Sequence, residues 1–510
     1  MLLFTLAGAL NPKQIQLHSI KPNTDCDALA KFKYQNIVDE IIRAIESGIF
    51  SDKSGSNKLE SVRRYARDKG VGVSTVTQAY YELERLGWIY SEPKRGYFIA
   101  SRRALTQPDY GSSIKRIHAE LDLANAVQYS FNDPDILPLS CTAPCTVIDQ
   151  ELLLNRLHKQ VLKHRPYKLL MQDPIEGIPE LRHEICRHLL RSGQVFLKDQ
   201  VLITNGRQEG LLLALAAAKA IGKTVAVESP VSFYFQAMLK QFNTDVIEVP
   251  MQGSYADELT LLSKAHKEQK FDTYLVNPNF ADPTGRVLSV EDKQALIAWA
   301  SEHDVTLIEY DRGELYFGAT RPVAIVSLVT QIRPCRVISI GDFYDTISPT
   351  ISLGYLICND TFIACQCTKQ IIAEEPSIAL QHMVANLMSS GEYHTLTGKL
   401  RNQMNTNYLK MKSSMSSVLG DSVYMSQPKG GPCIWFKLPE GYSSEALWSR
   451  VISAKLSIAP GSMFSFSSNY TCYFRITFAL PWNEKMESGV IRLAEVIRDY
   501  LKEKPKLTPC

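Results

Sequence analysis

Between residues 201 and 340, short apolar runs alternate with longer amphipathic segments, and no other feature constrains the fold as tightly. Val201–Thr204, Thr224–Val227, Thr273–Val276, Val305–Glu309 and Arg336–Ile340 are apolar almost throughout and rich in β-branched residues. Strands without polar alternation are buried on both faces, which points to a mainly parallel sheet covered by crossover helices. Gln208–Ala220 and Val290–Glu302 supply helical patterns between the runs. From Thr395 to Leu501, long helical patterns mix with short strands and predict a smaller C-terminal α+β subdomain. The expected class is α/β.

Ahead of this region, Tyr34, Ile37, Val38, Ile41, Ile42 and Ile45 recur at helical spacing and predict a first helix ended by Gly48. Ser61 is placed to cap a second helix running to about Lys69, where Gly70 breaks the chain. Ser74 or a neighbour caps a third, whose apolar face is Val76, Ala79, Tyr80 and Leu83 and which stops at Gly87. Two strands follow, Trp88–Ser91 and Tyr97–Ala100, joined by Glu92-Pro93-Lys94-Arg95-Gly96. Three helices and a basic hairpin describe a winged helix-turn-helix over residues 31–101. Charge agrees with this: the whole chain carries only +3, yet Lys31–Arg103 holds 14 Lys/Arg against 9 Asp/Glu. A small basic module on a near-neutral body suggests a polyanionic partner.

Residues 102–135 read as a linker with one short helix near Ile117–Ala126, after a Tyr110-Gly111-Ser112-Ser113 turn. Residues 1–30 form an N-terminal extension, apolar at its start but without a basic flank and too short to span a membrane. The eleven cysteines are scattered without zinc-like spacing, the nearest pair being Cys365 and Cys367. That usage predicts a reducing, cytoplasmic compartment.

Leu59 and Ser61, Val73-Ser74-Thr75-Val76, Ala79-Tyr80, Leu83-Glu84, Gly87 and Arg95-Gly96-Tyr97-Phe98 resemble the GntR family of bacterial transcription regulators. Glu60 departs from the proline usual there. The resemblance implies a double-stranded DNA operator as partner. Ser74, Thr75, Thr77 and Gln78 would face bases and phosphates from a helix in the major groove. Arg63 on the second helix, with Lys94, Arg95 and Gly96 on the wing, would meet phosphates or the minor groove.

Downstream, Glu176-Gly177-Ile178-Pro179-Glu180-Leu181-Arg182, Thr204–Gln208, Asp282-Pro283-Thr284-Gly285, Gly341–Tyr355, and Ala459-Pro460-Gly461 with Phe474-Arg475 follow in the order of the class I, fold-type I aminotransferases. Residues 136–505 resemble that family, and a GntR-type head fused to it is the architecture of the MocR-type regulators. The resemblance implies a pyridoxal 5'-phosphate site that can be followed residue by residue. Its Schiff-base lysine falls on Asp345. A carboxylate cannot condense with an aldehyde, so covalent cofactor binding is not expected.

The phosphate cradle falls on Gly206, Arg207 and Gln208, a strand-to-helix turn. The phosphate-binding serine falls on Asp342 and the phosphate-binding arginine on Ser352. The asparagine of the phenolic oxygen falls on Asp282, the ring-stacking aromatic on Ser232, and the arginine for a substrate carboxylate on Arg475. The acidic residue and tyrosine around the ring nitrogen fall within Glu309–Arg312, a segment one residue short, which leaves their assignment open. Losing a lysine and an arginine while gaining three aspartates predicts repulsion of a phosphate dianion. Arg207 is the residue that argues for residual phosphate binding.

The expected function is a DNA-binding transcription regulator, homodimeric so that two heads meet related half-sites. Its large domain then serves dimerisation and effector sensing without catalysis. The effector is open between a cationic amine and an amino-acid-like zwitterion, and a large domain that only dimerises is the plainer alternative. A working pyridoxal-phosphate aminotransferase with an accessory DNA-binding head is the rival reading, and Asp345 is the feature against it. No metal is expected.

Overall fold

The computed structural model describes residues 33–46, 58–92, 95–99, 123–131, 133–164, 174–329, 334–467 and 469–503. They divide into two compact units, with the boundary at residue 120.

In the first unit, α1 (Lys33–Glu46), α2 (Val62–Asp68) and α3 (Val73–Arg85) precede a hairpin of β1 (Ile89–Glu92) and β2 (Gly96–Ile99). The helical stripe of α1 is buried as its spacing predicts: Ile37, Val38 and Ile41 share a core with Ala66, Val76, Ala79, Tyr80 and Leu83. Tyr80 lies at the centre. Its hydroxyl donates to the Glu60 carbonyl at 3.0 Å, and its ring meets Tyr65 and Tyr97 edge-on. Ser61 caps α2 by accepting from the Arg64 amide. The third helix departs from expectation, because Gly72 rather than Ser74 is its N-cap and no side chain caps it. The Ser74 side chain therefore lies within the exposed first turn. Gly48, Pro93, Lys94, Ala100 and the linker up to residue 122 lie outside the described residues.

In the second unit, β3 (Val201–Thr204), β4 (Thr224–Ser229), β5 (Asp245–Pro250), β6 (Thr273–Asn279), β7 (Thr306–Asp311), β8 (Val337–Asp342) and β9 (Gly354–Cys358) form one sheet ordered β3-β9-β8-β7-β6-β4-β5. From β8 to β5 every pair is parallel, while β9 runs antiparallel to both β8 and β3. A parallel return needs a crossover, and Phe343–Leu353 contains no helix to provide one. The sequence pattern missed β5 and β9. At the sheet edge only Val249 of β5 is buried, so that strand lacks a continuous apolar run. A helix at Leu123–Ser130 overlaps the end of the expected linker helix, whose residues 117–122 lie outside the described residues.

The smaller subdomain has a second sheet of β10 (Tyr424–Met425), β11 (Cys433–Lys437), β12 (Ala459–Pro460) and β13 (Tyr473–Thr477), antiparallel throughout. The helices Glu392–Leu419 and Glu484–Leu501 cover it, burying Met404, Met411, Leu493 and Ile497 against Phe436 and Phe474. In the large sheet, the residues following β3, β6, β7 and β8 gather at the carboxyl ends of the strands, where open α/β sheets bind ligands.

Candidate functional site

Strand alternation decides which side chains reach that end of the sheet. Glu309 turns away and accepts from the Ile325 and Val326 amides, and Asp311 turns away to Arg321 and Asn279. Their neighbours Tyr310 and Arg312 turn in. This resolves the segment left open by the sequence: neither acid faces the site, and a phenol and a guanidinium do. The period-2 pattern of β7, anchored on either acid, was the available signal for these two residues.

Three carboxylates then meet three guanidiniums in a row. At the cradle, Tyr310 donates to Asp342 Oδ2 at 2.8 Å while Arg207 stands 3.6 Å from the same oxygen and over the Tyr344 ring. In the middle, Arg312 donates through Nε at 3.1 Å and Nη2 at 2.8 Å to Asp345 Oδ2. The other oxygen of Asp345 is buried with no hydrogen-bond partner. At the far end, Arg475 donates through Nη1 to Asp282 at 2.6 Å and through Nη2 to the Ser140 carbonyl at 2.7 Å. Ser232 lies beside Asp282 and favours its charged form. The negative excess expected from the sequence is therefore absent, because Arg312 supplies a cation that the residue matching left unassigned.

At Asp282 and Asp342 burial raises the carboxyl and the guanidiniums oppose it, with different outcomes. For Asp282, Arg475 and Arg312 outweigh burial and hold the carboxyl below its ordinary value. For Asp342, burial prevails over Arg207 and the carboxyl is raised. Close by, burial pushes the thiols of Cys145 and Cys433 up to about 12. These cysteines are neutral and unsuited to nucleophilic work.

Two expected residues do not join the row. Gln208 and Ser352 are both exposed. Gly206 opens the helix Gly206–Ala217 with φ +78, and Arg207 follows it. The two lysines flanking the Asp345 motif in sequence are committed elsewhere. Lys293 donates to Asn279 Oδ1 and the Val323 carbonyl, and Lys369 to the carbonyls of Ile175 and Ile203. No metal-binding cluster exists among the described residues.

In the first unit, Ser74, Thr77 and Gln78 are exposed on α3, Thr75 is half-buried, and Arg63 is exposed on α2. The Thr77 hydroxyl donates back to the Val73 carbonyl at 2.9 Å. On the wing Arg95 pairs with Glu92 at 2.5 Å and overlies the Phe98 ring, and Gly96 takes φ +107. Lys94 lies outside the described residues.

A winged helix-turn-helix and a fold-type I aminotransferase-like domain together define the class of protein. The model of the aminotransferase class I and II family matches residues 158–493, and the chain belongs to that family, which implies pyridoxal phosphate as cofactor. With its head, it has the architecture of the MocR-type regulators of the GntR family. An uncharacterised HTH-type transcriptional regulator of Escherichia coli, YjiR, is 28% identical over 471 residues, covering 91% of this chain and 98% of its own. A second from that organism, YdcR, is 26% identical and is covered completely, over 92% of this chain. The HTH-type pyridoxine biosynthesis transcriptional regulator PdxR of Corynebacterium glutamicum is 26% identical over 76% of this chain and 78% of its own. Among solved structures, the kynurenine aminotransferase of Pyrococcus horikoshii superposes with a TM-score of 0.68 at 22% identity, over 75% of this chain and 95% of its own. At that identity the likeness speaks for the fold alone. Among the described residues no helix is long and apolar enough to cross a membrane.

Proposed function

We propose that the chain is a DNA-binding transcription regulator whose aminotransferase-like domain dimerises and senses an effector without catalysing transamination. The observation that carries this is the Arg312–Asp345 ion pair, a closed 2.8 Å contact at the position where the family holds its reactive lysine. An aldehyde finds no amine there, and the two flanking lysines are buried against carbonyls and an amide. The residues present do not fit a covalently held pyridoxal phosphate. The match to regulators along nine-tenths of the chain supports the DNA-binding half of the reading.

In this reading, Ser74, Thr75, Thr77 and Gln78 read the major groove, while Arg63, Lys94, Arg95 and Gly96 hold phosphates or the minor groove. Gly206, Arg207, Gln208, Ser232, Asp282, Asp342, Asp345, Ser352 and Arg475 border the effector site. Two spectra of the purified chain, with and without added pyridoxal phosphate, test the non-catalytic half. The expected result is no new band that borohydride fixes to the protein. Selection of duplexes from a random pool by the full chain tests the other half, with enrichment of a two-fold related sequence expected. A borohydride-stable adduct, or failure to enrich any sequence at low salt, contradicts the respective half.

A further inference from the structure

Arg475 is the most deeply buried cation of the row, 1% exposed. A guanidinium in such a place is a seat for a carboxylate, since its fork matches two oxygens and its charge needs an anion. That seat is taken by the chain itself. Asp282 Oδ1 lies 2.6 Å from Nη1, and the remaining hydrogen bonding of the guanidinium is directed in part to the Ser140 carbonyl at 2.7 Å. The face of the guanidinium is also covered, by the Phe464 ring at 5.0 Å. Phe464 is in turn fixed to the large domain, its carbonyl accepting from the Val231 amide at 2.9 Å.

Asp282 is as firmly held as its partner. It begins the Asp282–Gly285 turn, which packs so tightly on the small subdomain that a Cβ on Gly285 would lie 2.8 Å from Pro428 Cβ. Gly285 has φ +72 as well, so the turn accepts no side chain there without strain. A carboxylate on so short and rigid a tether acts at an effective concentration above the roughly millimolar value of flexible linkers. A free carboxylate would have to displace it and leave a second buried anion unpaired.

We infer that Asp282 is a built-in stand-in for a ligand carboxylate and the residue that sets specificity here: it excludes amino and keto acids and restricts the effector to molecules without a carboxylate. This rests on the reading of the large domain as a non-catalytic sensor. Among the described residues, Asp345 Oδ1 is a buried acceptor without a partner at this site, which a donor group of such a ligand would satisfy.

The test compares two probes that differ only by the carboxylate, L-norleucine and 1-aminopentane, titrated calorimetrically into the full chain. The wild-type protein should not bind norleucine measurably, or should bind it at least about tenfold more weakly than 1-aminopentane. Asp282→Asn keeps an acceptor toward Arg475 but removes the charge, and should bind norleucine at least about tenfold more tightly than the wild type does. Affinity for 1-aminopentane should not rise. Asp282→Ser is the second variant if the first does not fold, and the wild-type comparison stands alone if neither does. Wild-type binding of norleucine as tight as that of 1-aminopentane or tighter, or a folded variant with no gain, overturns the inference. Sequence-specific DNA binding retained in that case would leave the regulator reading intact.

Discussion

Arg312 and Asp345 lie 33 residues apart in sequence and are joined by two hydrogen bonds to a single carboxylate oxygen, with both side chains buried. In the proposed reading, the position at which the family holds its cofactor is here half of an internal ion pair. The structural and functional consequences of that substitution are therefore coupled.

Removing either partner should be costly. Arg312→Ala or Asp345→Ala leaves a buried charge uncompensated, which is expected to cost about 3–5 kcal/mol of folding stability. The double replacement Arg312→Leu/Asp345→Leu should recover much of that loss, because no lone charge remains. Urea unfolding of the three variants measures this. Single variants that lose less than about 1 kcal/mol would show the pair to be solvated like a surface contact.

Restoring the lysine alone should not restore an enzyme. Asp345→Lys places an ammonium against Arg312, exchanging an attraction for a repulsion between buried groups. Asp342, Asp282 and Ser352 also remain unsuited to the phosphate and phenolate. We expect lowered stability, weak pyridoxal phosphate binding and no turnover of an amino donor. Adding Asp342→Ser and Ser352→Arg should improve cofactor affinity. Steady transamination by the single variant, followed by product formation, would falsify the view that the site is degenerate.

The Asp282–Arg475 pair should leave a signature in the pH dependence of stability. Burial pushes the Asp282 carboxyl up, but Arg475 and Arg312 together hold it below its ordinary 3.8. A depressed carboxyl binds fewer protons folded than unfolded. Its contribution is therefore complete above pH 3.8 and is lost as pH falls through the lower folded value. The stability gap between the wild type and Asp282→Asn should be widest near neutrality and narrow on the acid limb. A gap that stays constant under acid denaturation would mean that the charge of Asp282 does not contribute.

In the head, phosphate and base contacts should separate experimentally. Arg63→Ala and Arg95→Ala are expected to weaken binding to all duplexes and to reduce the salt slope by about one each. Because Glu92 pairs with Arg95 at 2.5 Å, Glu92→Ala should strengthen binding without changing sequence preference. Gln78→Ala should instead cost about 1–3 kcal/mol at particular base pairs. Anisotropy titrations at several salt concentrations distinguish these outcomes. A uniform loss for Gln78→Ala would place that residue at the backbone.

Elements whose cause is local are legible in the residues themselves. Apolar runs from Val201 to Ile340 specify buried strands, and the Ile37/Val38/Ile41 stripe specifies a helix face, because side-chain period is a property of a few adjacent residues. The chemistry of Asp345 was equally legible, since a carboxylate lacks an amine in any fold. Tertiary structure decided what those residues do to one another. It turned Tyr310 and Arg312 inward and their acidic neighbours outward, and it reversed β9 for want of a crossover helix. It also brought Asp282 to Arg475 across 193 residues and Arg312 to Asp345, whose cation closes a charge balance that a count of single substitutions had left negative. Ion pairing depends on distance in space, and in this fold that distance is fixed by the sheet order and by the docking of the small subdomain on the large one.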